Sequence, residues 1–320
     1  MSHRHVLILF LDGVGLGSSD PARNPFCAAR MPTLQGLLGD GWFLRERGAI
    51  SARHASLAPT DACLGVEGRP QSATGQASLL TGLNVAAEVG QHYGPKPTRR
   101  IAALVRGGNL FRCVVGAGGT AAFLNPYPPR FFEAIENGRR LLSVIPLAAM
   151  SAGLRLRTHE DLTAGRAISP DFTGQAWRDR LNLPETPVIG RRAAGARLAK
   201  LSTEAALTLL EHWPTDLIGH RQDYGQAVEA LETLDAVLAG LLDVWDWSSG
   251  LALVTSDHGN LEDLAVRSHT LNPVPTILIG WKHAELAAQV RDLTDVAPAV
   301  SRFLTGQECR ASGLPRSGAL

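Results

Sequence analysis

Short aliphatic runs punctuate the chain at Val6–Leu11, Ala205–Trp213, Leu251–Thr255 and Pro275–Trp281. Each is bounded by glycine, proline or an acid, the pattern of strands buried on both faces. Between them the hydrophobic spacing lengthens to a helical period. Pro32 opens a helix whose face is Leu34, Leu37 and Leu38, since proline suits a first helical turn. A further helix is predicted over residues 98–107. The longest lines up Val228, Leu231, Leu234, Leu238, Leu241 and Leu242, with Glu229, Glu232 and Asp235 off that face. Asp292–Leu304 reads as a last helix with Pro298 as a point to kink. Strands alternating with helices predict an α/β fold, a mostly parallel sheet flanked by helices. Residues 48–70, with Pro59, Gly65, Gly68 and Pro70, read as irregular. Gln71–Gly82 reads as a loop entering a short helix, and Thr120–Asn125 as a turn into a strand.

The texture changes over residues 126–194, where arginines recur and prolines stand at both edges. This stretch is predicted to be a small inserted cap, with helices at Leu141–Leu154 and Phe172–Leu183, over a core made of residues 1–125 and 195–320. Its arginines, Arg130 and Arg178 among them, are candidates to grip an anionic substrate, because guanidinium pairs bidentately with carboxylate or phosphate. Asn125, at the junction, is a further candidate substrate contact.

Composition narrows the reading. The chain has 320 residues, 45% hydrophobic and 19% charged, with a formal net charge of +1. That is enough to bury a sizeable core, and it gives no bulk electrostatic reason to expect a nucleic acid or a membrane as partner. Cys27, Cys63, Cys113 and Cys309 form no close pair in sequence and read as reduced thiols, consistent with a cytoplasmic protein. The basic N-terminus before Val6–Leu11 is read as leading into a first strand rather than as a signal peptide, because the apolar run stops at Asp12. No apolar stretch reaches the ~18 residues of a membrane span.

Three acids follow predicted strands: Asp12, Asp216 and Asp257. If the strands are parallel, their carboxyl ends share one edge of the sheet, where open α/β folds build their sites. His220, His258 and His269 supply imidazoles, although His269 precedes a strand and the edge argument does not place it. Carboxylates with imidazoles suit manganese or zinc. Ser72 and Thr74 are both candidate nucleophiles, and either also suits a helix cap. Gly116-x-Gly118-x-x-Ala121 imitates a dinucleotide fingerprint. That motif needs a long helix next, but Pro126, Pro128 and Pro129 interrupt the chain. A nicotinamide oxidoreductase is therefore set aside.

Four ordered blocks resemble the alkaline phosphatase superfamily, most closely the branch holding cofactor-independent phosphoglycerate mutase and phosphopentomutase. They are Leu11-Asp-Gly-Val-Gly15, Ser72-Ala-Thr-Gly-Gln76, Thr215–His220 with Thr255–Asn260, and His269–Pro275. The resemblance covers roughly residues 1–125 and 195–305. It implies an alkaline-phosphatase-like core and two divalent metal ions. Asp216, His220 and His269 would hold one ion. Asp12, Asp257 and His258, with the Ser72 oxygen, would hold the other. It also implies that Ser72, rather than Thr74, is the nucleophile that is transiently phosphorylated. Two departures stand out. Gln76 occupies a position where the mutase branch usually has histidine, and the insert is far shorter than the second domain of the cofactor-independent mutases. The expectation is a two-metal phosphomonoesterase of a small phosphorylated substrate. An intramolecular phosphomutase is the alternative, and a metal-binding regulatory protein without catalysis is the reading from another class.

Overall fold

Strand β1 (His5–Leu11) sets the layering. Val6, Ile8 and Phe10 enter one buried hydrophobic cluster, while Leu7, Leu9 and Leu11 enter another on the opposite face. This two-residue alternation in an all-apolar strand is what a sheet covered on both sides requires. In this computed structural model, which describes residues 4–309 and 311, the other strands are β2 (Ile50–Ser51), β3 (Ala55–Thr60), β4 (Ala121–Phe123), β5 (Pro126–Tyr127), β6 (Arg157–Thr158), β7 (Leu207–His212), β8 (Gly250–Thr255) and β9 (Val274–Gly280). The main sheet has the order β2-β3-β9-β8-β1-β7-β4. Strands β8, β1, β7 and β4 pair in parallel, while β9 runs antiparallel to both β8 and β3.

One face is covered by the helices Ser72–Thr81, Arg99–Gly107, Leu110–Gly116, Val144–Ser151 and Val296–Thr305. The other is covered by Pro32–Leu38, Arg191–Ser202 and Tyr224–Leu242. The helix Pro32–Leu38 has no side-chain cap of its own. Asp235, on the long helix, accepts from the amides of Thr33 (3.0 Å) and Leu34 (2.9 Å) and so satisfies the free N–H groups of that first turn.

Several sequence expectations are corrected. Residues 48–70 contain β3, a mostly buried strand, despite Pro59. Pro59 lies opposite Pro275, and neither β2 nor β8 pairs at those positions, so the two missing N–H groups leave no ladder bond unmade. Pro298 is the third residue of Val296–Thr305, in the first turn, where no intrahelical donor is required and no kink results. Cys113 and Cys309 are not separate thiols: they form a disulfide, with Cα atoms 6.0 Å apart, whereas Cys27 and Cys63 are free. A separation of 196 residues hid this pairing from the sequence; it arises because the helices Leu110–Gly116 and Val296–Thr305 pack together. The glycines after Cys113 close a helix rather than follow a strand, which removes the dinucleotide fingerprint. Among the described residues no helix is long and apolar enough to cross a membrane.

Residues 126–194 are not one uniform layer. Val144–Ser151 packs into the main core, while Leu162, Ala167 and Trp177 form a small separate cluster. Strands β5 and β6 pair with each other and stand apart from the main sheet.

Candidate active site

The neighbours β8, β1 and β7 end on one edge. Asp12 follows β1 directly, and Asp257 lies two residues beyond β8. Asp216 is not at a strand end. It sits in the first turn of the helix Pro214–Arg221 that leaves β7, where the helix dipole favours an acid. His220 is one turn further along the same helix. His269 reaches this edge because β9 is antiparallel: the chain entering β9 arrives beside the end of β8, and Gly259 and Thr270 bridge the two segments.

Ser72 is the first residue of the helix Ser72–Thr81, every residue of which is buried. Its Oγ is 3.1 Å from His258 Nε2. Thr74 is otherwise engaged. Its amide donates to Tyr93 O (3.0 Å), and its hydroxyl donates to Gln71 O and accepts from Tyr93 N, both at 3.1 Å. Of the two hydroxyls, Ser72 is the one at the acid–imidazole cluster. The helix approaches closely at Gly75, where a Cβ would lie 2.8 Å from Asp257 O and 2.9 Å from its Cβ.

His258 Nε2 lies 3.4 Å from Asp12 Oδ1 and 3.6 Å from Asp257 Oδ2. On the other side, Asp216 is 3.3 Å from His220 Nε2 and 3.6 Å from His269 Nε2, and the two imidazole nitrogens are 3.2 Å apart. The rings of His258 and His269 stack at 3.6 Å, joining the halves. Two ligand groups with the reach to hold a metal ion overlap at His258: Asp12, Asp257 and His258, and Asp216, His258 and His269.

Burial pushes the carboxyls of Asp12 and Asp257 well above their usual range, reinforced for Asp12 by Asp257 and for Asp257 by Asp216. Burial also pushes His258 well below the usual imidazole range, with His269 adding to the effect. His269 is lowered mainly by burial too. Neutral imidazoles beside crowded carboxylates form a donor set that a divalent cation satisfies. The Oδ1 atoms of Asp12 and Asp257 are buried without a hydrogen-bond partner. Such atoms are costly unless something positive meets them, so the residues present fit a metal centre.

Outer contacts aim these groups. A carbonyl only accepts, so His269 Nδ1 donates to Pro70 O (2.7 Å) and His220 Nδ1 to Arg267 O (2.7 Å), leaving each Nε2 free for a ligand. Asn260 Nδ2 donates to Asp216 Oδ1 at 2.7 Å. Glu262 was missed by the sequence reading, because no local period or spacing marks it. It is buried and accepts from Gly15 N (2.9 Å), Asn260 N (2.8 Å), Asn272 Nδ2 (3.0 Å) and the Thr270 hydroxyl. It therefore ties together the segments that follow β1 and β8 and the one that precedes β9.

The cluster opens on a cavity of about 720 Å³, whose walls include Asp12, Ser72, Asp216 and His220 together with residues of the 126–194 stretch such as Tyr127, Phe131 and Trp177. The four expected substrate contacts separate here. Arg130 lines the cavity. Gln76 lines it too, but its amide donates to Asp257 Oδ2 at 3.2 Å, so it orients that carboxylate. Asn125 reaches the wall while its carboxamide bonds the backbone of Glu211 in both directions at 2.7 Å, extending the β4–β7 ladder. Arg178 is corrected: it is not among the cavity residues, and its Nε donates to Thr186 O at 2.7 Å. Trp177, Arg180 and Leu181 line the cavity instead, since Arg178 and Arg180, two residues apart on Gln175–Leu181, face nearly opposite ways. Glu211 also lines the cavity, and burial raises its carboxyl to about 7.

Part of the chain is similar to known metalloenzymes. A family profile described as Metalloenzyme superfamily matches residues 192–307. A 2,3-bisphosphoglycerate-independent phosphoglycerate mutase of Desulforudis audaxviator is 31% identical over 140 residues, 39% of this chain and 28% of that protein. The corresponding mutase of Halobacterium salinarum is 30% identical over 153 residues, 43% of this chain and 29% of that protein. The matches thus span less than a third of these curated relatives' own length. Among solved structures, the PH0037 protein from Pyrococcus horikoshii shares the fold with a TM-score of 0.57 at 16% identity, over 98% of this chain and 100% of that one. The alkaline phosphatase from the Antarctic bacterium TAB5 does so with a TM-score of 0.54 at 11% identity, over 96% and 99%. The chain thus resembles the Metalloenzyme superfamily over residues 192–307 and shares its fold with alkaline phosphatase, with the acid–imidazole cluster at the carboxyl edge of the sheet.

Proposed function

We propose that the chain is a phosphomonoesterase that works through a phosphoserine at Ser72. The observation that carries this reading is the position of Ser72 Oγ: first in a buried helix, 3.1 Å from His258 Nε2, and on the wall of the cavity. Asp216, His220 and His269 would hold one divalent cation, and Asp12, Asp257 and His258 with the Ser72 oxygen a second, manganese or zinc. Bound there, the cations supply positive charge that favours the serine alkoxide and offsets its repulsion from a phosphoryl group. Ser72 gives up its proton, its oxygen bonds to phosphorus, and the ester oxygen departs and gains a proton. Water then cleaves the phosphoserine to phosphate and free serine. The helix N-terminus, with its leading amides, favours the anionic group during both displacements. Residues 126–194 would cap the core formed by 1–125 and 195–320 and select the small phosphorylated substrate.

The test is hydrolysis of phosphomonoesters after purified protein is supplied with manganese or zinc. Ser72→Ala is expected to lower kcat/KM by at least about 10²–10³-fold. Wild-type turnover in that variant would remove the reading. The likeness to phosphoglycerate mutases favours one alternative, transfer back to another hydroxyl of the same substrate. Product analysis separates the two, since only the phosphatase releases inorganic phosphate in step with substrate loss.

A further inference from the structure

The arginines of residues 126–194 divide by what they touch. Arg155 and Arg166 both pair with Asp161 (2.6 and 3.0 Å), and Arg178 bonds the carbonyl of Thr186. Arg130, Arg140 and Arg180 instead line the cavity, joined from the core side by the half-buried Lys96. Among the described residues no carboxylate forms an ion pair with any of these four.

The two acids away from the cluster, Asp171 and Glu211, offset these four cations only in part. Asp171 accepts from Thr173 Oγ1 (3.0 Å) and the amides of Gly174 (3.2 Å) and Ala176 (2.9 Å), so its oxygens are already engaged. Glu211 is raised to about 7 by burial, so it neutralises only part of the positive charge near neutral pH. Burial and the neighbouring Arg140 lower the Lys96 ammonium, and Glu211 opposes that shift.

Four aromatic side chains, among prolines and leucines, supply part of the apolar wall. Tyr127 stacks on Phe131 at 4.0 Å, Arg140 lies 5.0 Å over the Phe131 ring, and Trp177 and Trp213 are the other two. A volume of about 720 Å³ lies well inside the ~300–1,000 Å³ range of sites for drug-sized ligands. A three-carbon phosphorylated acid leaves most of it unfilled.

We infer that the substrate is a phosphomonoester of a planar, aromatic or heteroaromatic body that carries a second anionic group at the end remote from the phosphoryl. The phosphoryl group meets Ser72, the ring lies against Tyr127, Phe131 and the tryptophans, and the second anion is met by Arg130, Arg140 and Arg180. This rests on the phosphomonoesterase reading for the placement of the phosphoryl group.

The test uses manganese-supplied protein and phosphonates, whose P–C bond resists hydrolysis. Binding is followed by quenching of tryptophan fluorescence, since Trp177 and Trp213 line the cavity. The probes are 4-carboxybenzylphosphonate, its neutral-ended analogue 4-methylbenzylphosphonate, and the small acid 3-phosphonopropionate. The carboxybenzyl probe is expected to bind at least tenfold tighter than either of the others. Its lead over the methyl analogue should fall below threefold in Arg130→Met/Arg140→Met/Arg180→Met, and persist in Arg139→Met, which lies outside the cavity. Equal binding of the two benzyl probes, equal binding of the small acid, an unchanged lead in the triple variant, or no binding of any probe at millimolar concentration overturns the inference. Selective binding in a protein that hydrolyses no phosphomonoester would keep the inference and remove the phosphatase reading. Intact hydrolysis with equal affinities would do the reverse.

Discussion

Asp161, within residues 126–194, and Asp257 beyond β8 are both buried carboxylates, and the chain handles them in opposite ways. Asp161 is saturated: Arg155 and Arg166 pair with it, the Thr158 amide donates at 3.0 Å, and its carboxyl is held far below the usual range, first by Arg155. Asp257 meets neutral donors only, Gln76 and the backbone amides of Gly13 and its own residue, keeps an orphaned oxygen, and is pushed upward by burial and by Asp216. A carboxylate that only holds the fold together is surrounded by donors. One proposed to hold a cation has no cationic partner, keeps an oxygen without a bond, and has other acids close by. Glu211 shows a third solution, retaining its proton up to about 7.

The strongest way to break this comparison is Asp257→Asn. Turnover with metal restored is expected to fall by at least about 10²-fold. In chelator at pH 8, however, the variant should be more stable than wild type by about 1–3 kcal/mol, because it removes a charge that burial and Asp216 disfavour. Urea unfolding checks the sign, and a destabilised metal-free variant would mean that Asp257 has unseen partners.

Glu211→Gln tests the third solution. The folded-state carboxyl is raised to about 7 from 4.5, so its stabilising effect is complete below about 4.5 and is lost as pH rises through 7. The adjacent His212 is lowered from 6.5 to about 4 by burial, so its effect is complete above 6.5 and is lost as pH falls through 4. Between these limits the two slopes oppose. In metal-free wild type, stability should change little between pH 4.5 and 6.5. In Glu211→Gln it should rise by roughly 2–3 kcal/mol over that interval. A flat profile in the variant would contradict the assignment.

Asn260→Ala removes the 2.7 Å bond that aims Asp216 and should weaken metal binding by about 10–100-fold, measured by competition with a chelator. Asp161→Asn should act on the opposite quantities. It is expected to cost about 1–2 kcal/mol of stability, modest because Arg155 and Arg166 are exposed, while metal affinity stays at the wild-type value. Loss of metal from this variant would erase the distinction drawn between the two acids.

Much of this was legible from local pattern. The runs that became β1, β7, β8 and β9 are apolar because each strand is covered on both faces. The acids and imidazoles stood beside them in motifs that resemble a known superfamily. The parts read wrongly depended on partners far along the chain. A strand containing Pro59 is tolerated only because Pro275 faces it where no rung is required. The Cys113–Cys309 pair, the work of Glu262, and the choice of Arg180 over Arg178 have no signature within a window of neighbouring residues.

The sequence by itself determined the α/β alternation, the ligand types and their order, because periodicity and residue chemistry are local properties. The tertiary structure decided which of those groups meet. The reversed direction of β9 brings His269 to the edge where the parallel strands end, and the bonding of Thr74 to Tyr93 leaves Ser72 as the hydroxyl facing the cluster. Both decisions turn on strand direction and backbone pairing between segments distant in sequence, and no local pattern encodes either one.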